Sequence, residues 1–145
     1  MRWGIWGANF TTKQYETIID QCLSVDLNIF DHADIYGHYT TEADFGMALK
    51  DKSSLRQQMK LITKCGINML TPNRPAHSIK SYDTSAAHIR KSVENSLQNF
   101  HTDYIDTLLI HRPDLLLNTE EIAATINELK GAGKIKSFGV SNFNT

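Results

Sequence analysis

The chain has 145 residues and carries 15 basic against 16 acidic side chains, a formal net charge of -1. That balance gives no electrostatic footing on nucleic acid or an anionic membrane, and no apolar run approaches the ~18 residues of a membrane span. With 41% hydrophobic and 21% charged residues, the composition is that of a soluble globular protein, and the length is that of a single domain, residues 1–145.

The opening "MRWGIWGANF" lacks the basic region, apolar core and small-residue cleavage site of a signal peptide. The two cysteines, Cys22 and Cys65, have no CxxC spacing and read as reduced thiols of a cytoplasmic protein. Residues Trp3 to Trp6 can start a very short first strand. "TTKQYETIIDQCLSV" follows, with Thr11 or Thr12 as its cap. Tyr15, Ile18, Ile19 and Cys22 recur there at helical spacing. "LNIFD" is a second strand. "TTEADFGMALKD" is a short helix capped by Thr41, with Phe45, Ala48 and Leu49 facing inward. "KLITK" is a third strand, followed by a long polar connection from Gly66 to Asp83.

"TSAAHIRKSVENSLQNF" is the best helix, capped by Thr84, with Ile89, Val93, Leu97 and Phe100 on its apolar face. "YIDTLLIH" is a fourth strand. "NTEEIAATINELKGAGK" is a fourth helix, capped by Thr119 and ended by Gly131 and Gly133, with Glu120 and Glu121 suiting its positive N-terminal end. "IKSFGVSNF" is a fifth strand. This strict alternation of five strands and four helices predicts an α/β fold with a parallel sheet and right-handed crossovers. Two architectures fit: a doubly wound open sheet, or part of a (β/α)8 barrel. A complete barrel typically needs ~250 residues.

Ligands bind at the C-terminal ends of parallel strands. Those ends carry Asp31, with Tyr36 just beyond it, then Lys64, His111, and Ser141 with Asn142. A phenol, with a reference pKa of ~10, is a weak acid-base group at neutral pH. A nearby ammonium stabilises the phenolate, and a carboxylate holds the ammonium charged. Asp31, Lys64 and Tyr36 therefore make a chain that tunes a proton donor, and His111 can orient a carbonyl by hydrogen bonding. Protonating a carbonyl oxygen is half of a reduction. The hydride must come from a nicotinamide cofactor, because no side chain supplies one. Ser141 and Asn142 suit a carboxamide, which offers a donor and an acceptor.

"FDHADIYGHYTTEADFGMAL", "LITKC", "YIDTLLIHRPD" and "GKIKSFGVSNF", in this order and each at a strand end, resemble the aldo-keto reductase family. "YDTSAAHIRKSVENSLQNFHTDYIDTLLIHRPD" is similar to a bacterial branch of NADPH-dependent oxidoreductases. The resemblance implies a (TIM) (β/α)8 barrel and NADP(H)-dependent reduction of aldehydes or ketones. It maps a catalytic tetrad onto Asp31, Tyr36, Lys64 and His111, and assigns the nicotinamide carboxamide to Ser141 and Asn142. The chain departs from the family pattern in having His32 after the aspartate and an abbreviated start, with Met1 falling inside the first strand. It also stops at the fifth strand. The expectation is an incomplete barrel, either a fragment or a chain that associates through open sheet edges, with weakened hold on NADP(H).

Two rival readings stand beside this one. A cofactor-sensing regulatory subunit can share the same barrel. His32, Asp34 and His38 suggest a metal-dependent barrel hydrolase, yet adjacent Asp31 and His32 point to opposite faces of a strand, and there is no HxH or HExxH, so no metal is expected. His77, His88 and His101 read as solvated surface residues. The GxG at Gly131 to Gly133 follows a helix, not a strand, and so is no dinucleotide fingerprint.

Overall fold

The structure, a computed structural model, describes residues 3–50 and 52–144. Met1, which the sequence reading placed inside the first strand, and Asp51, which it placed at the end of the second helix, lie outside the described residues. Helix α1 (Thr12–Ser24) opens on a capping box in which Thr11 and Gln14 satisfy each other's side-chain and backbone groups. Strand β1 (Ile29–Asp31) follows, then α2 (Thr41–Leu49), a single turn α3 (Ser53–Arg56) and β2 (Lys60–Cys65). A two-residue hairpin, β3 (Ile67–Asn68) with β4 (Ser81–Tyr82), precedes α4 (Ala86–Phe100). The chain then runs through β5 (Ile105–Ile110), α5 (Thr119–Gly131) and β6 (Ile135–Val140).

The main sheet is parallel, in the order β1-β2-β5-β6. It has four strands among the described residues, not the expected five. Residues Trp3 to Trp6 form a turn: Gly7 and Asn9 N–H donate to the Gly4 carbonyl, and Phe10 N–H donates to Trp3. Packing explains this. The Trp3 ring lies about 6 Å from the rings of Phe10, Tyr15, Phe30 and Phe45, so the segment folds back as a plug over the outer core. The helix caps also sit one residue earlier or later than expected. Ser85 caps α4 and Asn118 caps α5, while Thr40, with no side-chain cap bond, precedes α2. The α3 turn and the hairpin inside the polar connection carry too few apolar residues to show a period.

Two apolar clusters lie between the sheet and its helices. One joins Phe30, Phe45, Leu61 and Phe100 with Tyr15 and Ile19 of α1. The other joins Val93 and Leu97 of α4, Ile122 and Ile126 of α5, and Leu108, Ile110 and Ile135 of the sheet. Each such fully buried side chain contributes roughly 1.5–3 kcal/mol. Helices α2 and α4 cross in close contact at Gly46, where a Cβ would lie 1.8 Å from the Asn99 carbonyl oxygen. Only glycine permits that approach.

The inner face of the sheet positions the site. Asp31 pairs with Ile62, Lys64 with Leu109, and Leu109 with Gly139. Side chains alternate along strands with a period of two. Asp31 and Lys64 therefore share this face, and backbone continuation carries His111 and Ser141 onto it one step beyond Leu109 and Gly139.

Candidate active site

Asp31 and Lys64 end two neighbouring strands and meet directly. Lys64 Nζ lies 2.9 and 2.8 Å from the two Asp31 carboxylate oxygens and 2.8 Å from the His32 carbonyl oxygen. The Lys64 side chain is 7% exposed, whereas Asp31 keeps half of its surface in solvent. A buried ammonium without acceptors would be costly; here three acceptors satisfy its donors and fix it in place.

Its fourth neighbour is the Tyr36 hydroxyl, at 3.4 Å. An ammonium has donors only. The phenolic oxygen must therefore accept from Lys64, which leaves the phenol's own proton free for another acceptor. Tyr36 rides on a turn whose next three residues, Gly37, His38 and Tyr39, all have left-handed φ values of 60, 57 and 69°. Left-handed backbone costs a non-glycine residue roughly 1–2 kcal/mol, so the turn has to be tied down. The Tyr39 hydroxyl donates to the Ile67 carbonyl and accepts from Met69 N–H, and the Asn73 amide donates to the His38 carbonyl. The β3–β4 connection thus braces the loop that carries Tyr36.

His111 enters from the end of β5, its N–H donating to the Cys65 carbonyl and its ring 5.9 Å from the Tyr36 ring. Burial, aided by the Lys64 and Arg112 charges, pushes its pKa down to about 4. The ring is neutral at physiological pH. Ser141 N–H donates to the Ile110 carbonyl and so continues the sheet register. Asn142, at a left-handed φ of 62°, sends its side-chain amide to the His111 carbonyl at 3.1 Å and to the Ser141 hydroxyl at 2.8 Å. Because Ser141 Oγ accepts there, the Ser141 proton and the Asn142 side-chain carbonyl remain for an outside partner.

The structure thus brings Asp31, Tyr36, Lys64 and His111 together at one strand-end edge, with Ser141 and Asn142 beside His111. It separates the His32 side chain from them. His32 turns outward, 4.6 Å from the Phe45 ring and 5.0 Å from Phe100, and is 1% exposed. That placement contradicts its part in a metal site with Asp34 and His38. His88 is also not the solvated residue expected: its side chain is 17% exposed, beside Asp83 at 3.6 Å, and burial lowers its pKa. Sequence reasoning missed a buried carboxylate, Glu42, and the raised pKa of buried Asp34, which desolvation and the nearby Glu42 keep well above the usual carboxylate range. The helical period of "TTEADFGMAL" already put Glu42 on the side of Phe45 and Leu49, the one signal available.

A parallel βα sheet with this strand-end cluster is the arrangement of a barrel oxidoreductase, and known proteins agree. The aldo/keto reductase family model matches residues 1–145. The chain is 48% identical over 143 residues to an uncharacterized oxidoreductase of Bacillus subtilis, covering 97% of this chain and 48% of that protein. It is 41% identical over 145 residues to a 6-dehydroglucose reductase of Agrobacterium fabrum, covering 97% and 49%. Among solved structures, the holo form of an aldo-keto reductase from Bacillus halodurans superposes with a TM-score of 0.77 at 30% identity, over 91% of this chain and 42% of that one.

The chain belongs to the aldo/keto reductase family, a family of oxidoreductases, and its fold is part of a (β/α)8 barrel. It spans about half the length of the curated relatives it matches.

Proposed function

We propose that the chain is the N-terminal, catalytic part of an NADP(H)-dependent reductase that converts an aldehyde or ketone to an alcohol. The observation that carries this reading is the contact of Lys64 Nζ with both the Asp31 carboxylate and the Tyr36 hydroxyl. A donor-only cation against the phenolic oxygen leaves the phenol proton aimed at a substrate and stabilises the charge that remains once the proton leaves. Bound reduced nicotinamide would supply the hydride to the carbonyl carbon. Tyr36 donates the proton to the carbonyl oxygen, and Lys64, held by Asp31, compensates the resulting phenolate. His111, neutral by burial, hydrogen-bonds the carbonyl oxygen and orients it but does not protonate it.

The residues fit the cofactor's carboxamide. The spare Ser141 proton and Asn142 carbonyl oxygen make a donor and an acceptor side by side, which complements a primary amide. Asp31, at the end of β1 on the same strand-end edge, would also help hold the cofactor. We read residues 1–145 as one domain, a small-molecule carbonyl as the partner, and the cytoplasm as the location. No helix among the described residues is long and apolar enough to cross a membrane.

The test is turnover of a generic aldehyde with NADPH. In the complete polypeptide, Tyr36→Phe should lower kcat by at least about 10²-fold, the contribution typical of a positioned general acid. Unchanged turnover in that variant would sink the assignment. The 145-residue chain alone should turn over little, since half the relatives' length is outside it. Absence of turnover by the complete polypeptide with a range of carbonyls, alongside NADPH binding, would favour a cofactor-sensing subunit. A probable voltage-gated potassium channel β subunit of rice is 26% identical over 141 residues, so a non-catalytic outcome is worth scoring.

A further inference from the structure

Glu42, the second residue of α2, is a carboxylate outside the strand-end cluster. It is 2% exposed and has no ion-pair partner among the described residues. Its carboxylate accepts four contacts from three neutral donors: the Thr63 hydroxyl at 2.6 Å, the Ser96 hydroxyl at 2.9 and 3.0 Å, and the Asn99 amide at 3.2 Å. Burying a carboxylate without a cation is expensive, and the cost persists only where the surroundings demand it. Burial raises its pKa, and these hydrogen bonds pull the other way.

The donors come from two elements, β2 and α4. Thr63 immediately precedes Lys64 in the strand. On the other side, the Thr40 and Thr41 N–H groups at the start of α2 both donate to the Tyr36 carbonyl at 3.2 Å. One path from Tyr36 to Lys64 therefore runs through two side chains: the Tyr36 carbonyl, Thr41 N–H, the adjacent Glu42 carboxylate, the Thr63 hydroxyl and the Lys64 backbone. It lies beside a backbone path in which Tyr36 N–H donates to the Ala33 carbonyl and Asp34 N–H to the Lys64 carbonyl. The Lys64–Tyr36 contact that these paths span is 3.4 Å long, close to the limit of a hydrogen bond. A displacement of a few tenths of an ångström breaks it.

We propose that Glu42 is a positioning residue. By clamping the first turn of α2 to Thr63 and to Ser96 and Asn99 of α4, it sets the distance between the Tyr36 hydroxyl and the Lys64 ammonium. The role presupposes the reading of Tyr36 and Lys64 as the proton-donating pair, but the contact itself can be measured without turnover.

The experiment is NMR on the 145-residue chain with ring-labelled tyrosine. The Tyr36 resonance is assigned by its loss in Tyr36→Phe. Lys64→Met defines the shift that follows loss of the ammonium. Glu42→Gln should move the Tyr36 resonance in the same direction, with Tyr82 and Tyr104 unmoved. In the Lys64→Met background Glu42→Gln should add nothing, because the contact it adjusts is already gone. A Tyr36 resonance that stays in place in folded Glu42→Gln would overturn the proposal, and so would an equal shift with or without Lys64. If Glu42→Gln does not fold, Thr63→Val removes a single donor and is read by the same cycle. In the complete polypeptide, Glu42→Gln should cut kcat about 10-fold or more while leaving KM within about twofold, the pattern of lost orientation rather than lost binding. If Tyr36→Phe proves fully active, the reductase reading falls, and the NMR cycle still decides whether Glu42 sets the contact.

Discussion

His32 gives the sharpest stability test. Its ring is enclosed by Phe45 and Phe100, and neither nitrogen has a hydrogen-bond partner among the described residues. Burial in this apolar cage pushes its pKa from 6.5 down to about 3. The folded chain therefore leaves His32 neutral through mild acid, while the unfolded chain protonates it below about 6.5. A lowered folded pKa means that stability is lost as pH falls below the unfolded value, and the loss grows until the folded pKa is reached. Between about pH 7.5 and about pH 5 the loss depends only on the unfolded pKa, and at 1.36 kcal/mol per pH unit it comes to about 2 kcal/mol.

The assay is urea unfolding at both pH values for the parent and for His32→Leu. Other groups titrate equally in the two proteins, so the parent should lose about 2 kcal/mol more than the variant on acidification. Equal losses would refute the reasoning and place a hydrogen-bond partner or solvent at His32 in solution.

Three further outcomes are expected. Lys64→Met, in the complete polypeptide, should reduce NADPH-dependent turnover by about 10²-fold or more, by leaving the Tyr36 phenolate uncompensated; it is checked by steady-state kinetics. Asp34→Asn should stabilise the chain at neutral pH and much less near about pH 4. The carboxyl is raised by burial, so its penalty appears as pH climbs above the unfolded value, and chemical unfolding across that range reads it. Gly46→Ala should destabilise by about 3 kcal/mol or more, since its Cβ would meet the Asn99 carbonyl at 1.8 Å; thermal unfolding measures it.

The strand-end residues were legible because a parallel sheet orders them without further information. Once "NIFD", "LITK", "LLIH" and "GVSN" are strands followed by helices, Asp31, Lys64, His111 and Ser141 must share an edge. The amphipathic period of α4 gave the apolar part of its buried face, with Ile89, Val93 and Phe100 each at 0% exposure, but not the buried Ser92 and Ser96. The short first strand failed as a reading because four residues carry no period, and aromatic packing of Trp3 decided their conformation. Caps slipped by one residue because runs such as Thr-Ser and Asn-Thr offer two competent caps, and only backbone geometry chooses between them.

Sequence alone determined the alternation of elements, the parallel sheet and the chemistry gathered at its edge, because hydrophobic period and strand direction are local properties. Tertiary structure alone decided the fates of His32, Asp34 and Glu42. A charged or polar side chain in a sequence carries the expectation of solvent. What it becomes depends on partners far along the chain: Phe100 enclosing His32, Ser92 against Asp34, and Thr63, Ser96 and Asn99 around Glu42. Those partners converge only when α4 is packed on α2 and β2. The reach from Lys64 to Tyr36 is fixed by the same packing.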